Sequence, residues 1–93
     1  MIEQRGDAYY VTGPLTIATS AKILAEGRRL FGQQGGLVDF SGVTELDSSA
    51  VSVLMQWQRD AHKQGSRLGC RNIPDNLKNL AALYGVADML TLK

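Results

Sequence analysis

Cysteine occurs once in the 93 residues, at Cys70, so no disulfide can form within the chain. That excludes the stapled scaffold of small secreted domains and suits a reducing compartment. Histidine also occurs once, at His62. One His and one distant Cys cannot build a zinc site, and neither HExxH nor CxxC is present. No apolar run approaches the roughly 20 residues needed to cross a bilayer. The opening MIEQRGD has no apolar core of the kind a secretory signal requires. A dominant charge is missing too: ten Lys and Arg face nine Asp and Glu, for a net charge of +1. Such a chain has no broad basic field to draw nucleic acid or an anionic membrane. Arg28-Arg29 is its densest basic spot and reads as a solvated helix face. These absences lead us to expect a cytoplasmic protein with no metal, no cofactor, no nucleic-acid partner and no direct membrane insertion.

What is present is an ordinary globular composition, 44% hydrophobic and 20% charged. A chain of this length forms one domain, spanning 1–93, around one core. Tyr9-Tyr10-Val11-Thr12 reads as a strand, punctuated by Gly13-Pro14. Thr16 or Thr19 can cap a helix reaching about Phe31, with Ile17, Ala21, Leu24, Arg28 and Phe31 on one stripe. Gly32, Gly35 and Gly36 end it. Leu37-Val38-Asp39-Phe40 fits a central strand buried on both faces. Residues 41–46 read as a loop or short turn.

Asp47-Ser48-Ser49 opens the strongest helix. Val51, Leu54, Met55, Gln58, Ala61 and His62 form its face, Val53 and Trp57 widen or flank it, and Gly65 closes it. Arg67 to Arg71 reads as a strand with Leu68 and Cys70 two apart. Asp75 can cap a last helix with Leu77, Leu80, Ala81 and Tyr84 on one face, ended by Gly85. Val86, Met89, Leu90 and Leu92 form an apolar tail, read as a short helix or a final strand. Alternating strands and helices imply an α/β fold with a mixed, mostly parallel sheet and helices packed on it.

A catalytic constellation is hard to assemble from these residues. His62 lies deep in its helix, where a packing or surface role is the usual one. The glycines at 32–36 follow a helix and precede a strand, whereas a phosphate cradle needs strand then helix. Cys70 reads as a small buried hydrophobe. Asp39, Glu45 and Asp47 gather near one strand end and could form a carboxylate pair, but a small sheet leaves little room for a substrate pocket. The chain is therefore expected not to be an enzyme.

Asp47-Ser48-Ser49 stands where a strand feeds a helix N-terminus, the crevice at which open α/β sheets meet ligands and partners. The first helical turn leaves amides unpaired, and the helix dipole favours negative charge there. A hydroxyl at that point is placed to accept a phosphate, adding about −1.5 to −2 charge beside Asp47. The plainer alternative is a helix cap worth about 1 kcal/mol. Asp47, Ser48, Ser49, Val51 and Ser52 are the expected partner-binding residues. Trp57 is either core or interaction hot spot.

The stretch LVDFSGVTELDSSAV at 37–51 resembles the signature of STAS domains: an apolar strand ending in Asp, a short loop, then Asp-Ser or Asp-Thr and an aliphatic residue. The resemblance runs from GPLT at 13–16 to LAALYGV at 80–86, nearly the whole chain. The short chain, GPLT and the closing LKNLAALYG resemble the MlaB-like small STAS subunit of bacterial phospholipid-trafficking ABC transporters. That family implies an extra N-terminal strand, for which residues 3–5 are available. It implies that Ser48 lies in an interface with the transporter's ATPase subunit, peripheral to the inner membrane, in a complex maintaining outer-membrane lipid asymmetry. For the related anti-sigma-factor antagonists it implies that Ser48 is the phosphorylated position and an anti-sigma factor kinase the partner. Ser49 matches a small residue with no implied role, and Ala50 stands where many members have Gly.

Overall fold

The structure, a computed structural model, describes residues 1–31 and 36–89. Two strands, β1 (Ile2–Arg5) and β2 (Ala8–Leu15), form an antiparallel hairpin. Helix α1 (Ser20–Leu30) leads to β3 (Gly36–Leu46), and α2 (Ser49–Lys63) leads to β4 (Leu68–Arg71). Helix α3 (Asp75–Leu83) and a 3₁₀ turn at Ala87–Met89 follow. The sheet order is β1-β2-β3-β4, with β2–β3 and β3–β4 parallel. Two crossovers of one hand, each to the next strand over, place α1 and α2 on the same face. There they touch: the Trp57 indole N–H donates to the Leu24 carbonyl at 3.2 Å, and Arg28 Nε pairs with Asp60 at 2.8 Å.

The strand at 2–5 is the one that the resemblance implied and the residue pattern alone did not supply. Two further boundaries differ from the sequence reading. Residues 41–46 are not a loop but the second half of β3, and β2 runs straight through Gly13-Pro14. The pairing survives because register shifts at Tyr10/Thr12 and Gly13/Pro14 absorb the irregular residues. Pro14 is tolerated because β1 pairs only as far as Val11, which leaves that side of β2 open. Asp75 is the first residue of α3, with Pro74 at the cap position, so it does not cap by its side chain.

The core lies between the sheet and the two long helices. Val11, Val38, Phe40, Leu68 and Cys70 from the strands meet Ile23, Phe31, Val53, Leu54 and Trp57. Trp57 is core, at 1% exposure. The Phe31 ring stands edge-on to it at 4.9 Å and tilts against Tyr9 at 5.0 Å. The buried face of α2 is thus Ala50, Val51, Val53, Leu54, Trp57 and Ala61, rotated from the expected stripe; Met55 and Gln58 are half-buried and His62 is exposed. Helix α1 is rotated likewise. It buries Ile23 and Gly27, while Ile17 precedes the helix and is 78% exposed, and Ala21 is exposed. The cause is close approach: a Cβ on Gly27 would fall 2.5 Å from the Trp57 ring, so the indole sets the phase of both helices. Tyr84, expected on the buried face of α3, is 56% exposed just beyond its end.

The stops at Gly65 and Gly85 are as read, whereas Gly36, read as part of the end of α1, is the first residue of β3. Gly65 and Gly85 adopt φ of 73° and 71°, and the residues after them donate back to Ala61 and Ala81, each closing its helix in a left-handed turn. Gly32 and Gly35 lie outside the described residues, as do Leu90 and Leu92 of the apolar tail.

Candidate functional site

The start of α2 separates into a residue that holds the backbone and a residue that does not. Asp47 is the holder. Its Oδ1 accepts from the Ser49 amide at 2.9 Å and from the Ser49 hydroxyl, and its Oδ2 accepts from the Ile17 amide at 3.0 Å. One carboxylate therefore caps α2 and ties the 16–19 turn to it, while the Asp47 amide donates to the Leu15 carbonyl at 3.4 Å. The Ser49 hydroxyl, followed by the Ile17 and Ser49 amides, holds the Asp47 carboxyl below its ordinary range, so it is ionised at neutral pH.

Ser48 occupies the N-cap position of α2, yet its hydroxyl makes no capping bond and no other hydrogen bond among the described residues. It is exposed. Ser49, with its hydroxyl committed to Asp47, is half-buried and structural. Val51 is 3% exposed, so it lies under the surface as floor rather than presenting itself. Ser52 is exposed one turn along. Ser48, Val51, Ser52 and Met55 line a cleft of about 400 Å³, walled on the far side by Tyr84 and Val86. That wall was not foreseen: nothing local in residues 84–86 says which helix they lie beside. Ile17, exposed and bonded to Asp47, adds an apolar shoulder on the other side of the cap.

The three carboxylates expected near one strand end are not a pair. Asp39 is buried on the sheet face away from α1 and α2, since its neighbours Val38 and Phe40 point to the helices. Its Oδ2 accepts from Arg71 Nε and from Asn72 Nδ2 of the side-chain amide, both at 2.8 Å, and its Oδ1 from the Ser41 backbone amide at 2.8 Å. Arg71 also donates to the Tyr10 hydroxyl at 2.8 Å. Burial pushes the Asp39 pKa up, but the hydrogen bonds from Ser41, Arg71 and Asn72 outweigh it and hold the carboxyl down at about 2. Asn72, which follows β4, has a positive φ of 55°, a conformation that Asn tolerates better than most residues. Glu45 is exposed on β3, and Asp47 is committed to the cap.

Cys70 is fully buried, and burial pushes its thiol up to about 12, away from thiolate chemistry. His62 is an exposed side chain on α2. Among the described residues no cluster of three or more His, Cys, Asp or Glu could hold a metal ion. No described helix is long and apolar enough to cross a membrane.

A four-stranded mixed sheet with two helices on one face, and a Ser exposed beside a capping Asp where β3 feeds α2, together define a small α/β domain with a free hydroxyl at one helix tip. The family model described as "Mlab, STAS domain" matches residues 5–91, and the chain belongs to that STAS family. Among solved structures, the anti-sigma factor antagonist SpoIIAA in its unphosphorylated form superposes with a TM-score of 0.67. The match covers 89% of this chain and 81% of that one at 16% identity, a likeness of fold. A search of curated proteins finds no match.

Proposed function

We propose that this chain is a cytoplasmic STAS subunit that binds and regulates the ATPase subunit of an Mla-type phospholipid ABC transporter. Through that partner it sits at the inner membrane and serves outer-membrane lipid asymmetry. One observation carries the reading. The Ser48 hydroxyl is exposed and unbonded at a rigid helix tip whose capping is done by Asp47. A side chain with no structural task, on a fixed backbone, costs little entropy to place against a partner. The family match to the Mlab-type STAS model supports this class of partner. The protein acts by contact, not by turnover.

Co-expression with the ATPase subunit of a Mla-type transporter from the same genome tests this. A stoichiometric complex that survives gel filtration, with altered ATP hydrolysis, is the expected result. An ATPase that elutes alone at micromolar concentrations contradicts it. A second reading, an anti-sigma-factor antagonist switched by phosphorylation of Ser48, is favoured by the SpoIIAA-like fold and by the exposed hydroxyl. Phosphate transfer to Ser48 from an anti-sigma factor kinase, with loss of binding on transfer, would select it over the first.

A further inference from the structure

The contact surface does not end at Ser48. Along α2, Ser48, Ser52, Met55, Arg59 and His62 follow one another at spacings of four, three, four and three. That is the period of a helix seam made to meet a second helix. Four of the five are exposed and Met55 is half-buried, so no described element of the chain covers the seam. It is about 21 Å long at the α-helical rise.

One side of the seam carries a continuous trough. The cleft at Ser48 shares Met55 and Val86 with a second cleft of about 470 Å³, lined by Gln58, Arg59, His62, Arg67 and Asp88 among others. Its apolar floor is Met55 and Val86, and Tyr84 stands exposed at its rim. The two ends differ in chemistry. At the Ser48 end the side chains are small, which lets a second backbone come close. At the other end Arg59 and Arg67 are exposed and form no ion pair among the described residues.

Resting on the docking reading above, we infer that this seam receives one amphipathic helix of the partner protein, apolar along its centre and acidic where it passes Arg59 and Arg67. A second copy of this chain is a poorer occupant. The five seam residues carry no carboxylate, and among the residues lining the trough Asp88 is the sole acid against Arg59 and Arg67 and already has an interaction of its own, so another copy matches the guanidinium groups poorly. Partly desolvated pairs at that end would steer association and set its salt dependence.

The test is titration of the co-expressed transporter ATPase subunit with the full chain, wild type against Arg59→Glu/Arg67→Glu, Arg59→Gln/Arg67→Gln and Ser48→Asp, at 50 and 300 mM salt. Circular dichroism establishes that each variant is folded. The expected result is at least a tenfold loss of affinity for the charge reversal, a smaller loss for the glutamines, and a flattened salt dependence in both. If reversal leaves affinity and salt dependence unchanged while Ser48→Asp abolishes binding, the acidic-helix inference is overturned and the docking reading stands. If neither change affects binding, both are overturned. If the free chain proves dimeric and the reversal breaks the dimer, the occupant is a second copy and the inference is likewise overturned.

Discussion

Replacing Trp57 by Ala is expected to cost about 3–5 kcal/mol, the range for removing a buried large aromatic. For a domain of this size that lowers the melting temperature by roughly 15 °C or more. The indole is 1% exposed, packs edge-on to Phe31, donates to the Leu24 carbonyl and seats against Gly27, so both helices lose their common contact. A paired substitution makes the claim sharper. Gly27→Ala puts a methyl 2.5–2.6 Å from three indole atoms, and overpacking of that kind costs about 1–3 kcal/mol. In the Trp57→Ala background the clash is gone, and Ala in a helix interior is favoured over Gly by up to about 1 kcal/mol. Gly27→Ala should therefore change sign, destabilising the wild type and stabilising the Trp57 variant. Chemical denaturation of the four proteins reads the coupling. Additive effects would show that the indole does not set the spacing of α1 and α2.

The second large effect is at Asp39. Removing its carboxylate with Asp39→Ala leaves Arg71, the Asn72 side-chain amide and the Ser41 backbone amide without this acceptor. The expected cost is about 3 kcal/mol, toward the lower end for a broken buried pair because Arg71 is 37% exposed and can turn to water. The pH dependence follows from the depressed pKa. With a folded value of about 2 against an ordinary 3.8, the unfolded chain takes up the proton first as pH falls. The stabilisation is complete above about pH 5 and is lost between there and about pH 2. Its size is about 2 kcal/mol before allowance for solvent at the Arg71 side. Unfolding free energies at pH 5 and pH 2.5 should converge between wild type and Asp39→Asn. Parallel curves across that window would show that the carboxylate is not held in its ionised form by the fold.

The sequence revealed local chemistry better than long-range placement. The opening of α2 at 47–49, its stop at Gly65 and the stop of α3 at Gly85 follow from capping residues and left-handed glycines, which act within one turn. The length of β3 was hidden, because residues 41–46 reach beyond β4 and their side chains are half-exposed, leaving no clear alternation to read. The phase of both helices was hidden for a different reason. A glycine on α1 and a tryptophan on α2 decide it together, thirty residues apart. Asp39 looked like one of three loose carboxylates because its partners Arg71 and Asn72 lie more than thirty residues on in the chain and reach it only through the pairing of β4 with β3.

At the site itself, the residues were named from capping chemistry, but their roles could not be divided. Asp47, Ser48 and Ser49 are each good caps, and only the bond from the Ile17 amide and the pairing within the triplet assign the task to Asp47. The trough wall at Tyr84 and Val86 depends on where α3 comes to rest, which no local pattern encodes.

The central claim is that Ser48 belongs to the surface of the complex and not to the stability of the domain. The direct measurement sets thermal unfolding of Ser48→Asp beside calorimetric titration of the same variant with the ATPase subunit. The expected outcome is a melting temperature within about 2 °C of wild type, as for surface changes of at most about 0.5 kcal/mol, together with loss of detectable binding. A variant that binds as tightly as wild type contradicts the claim. So does one that fails to bind only because it has unfolded.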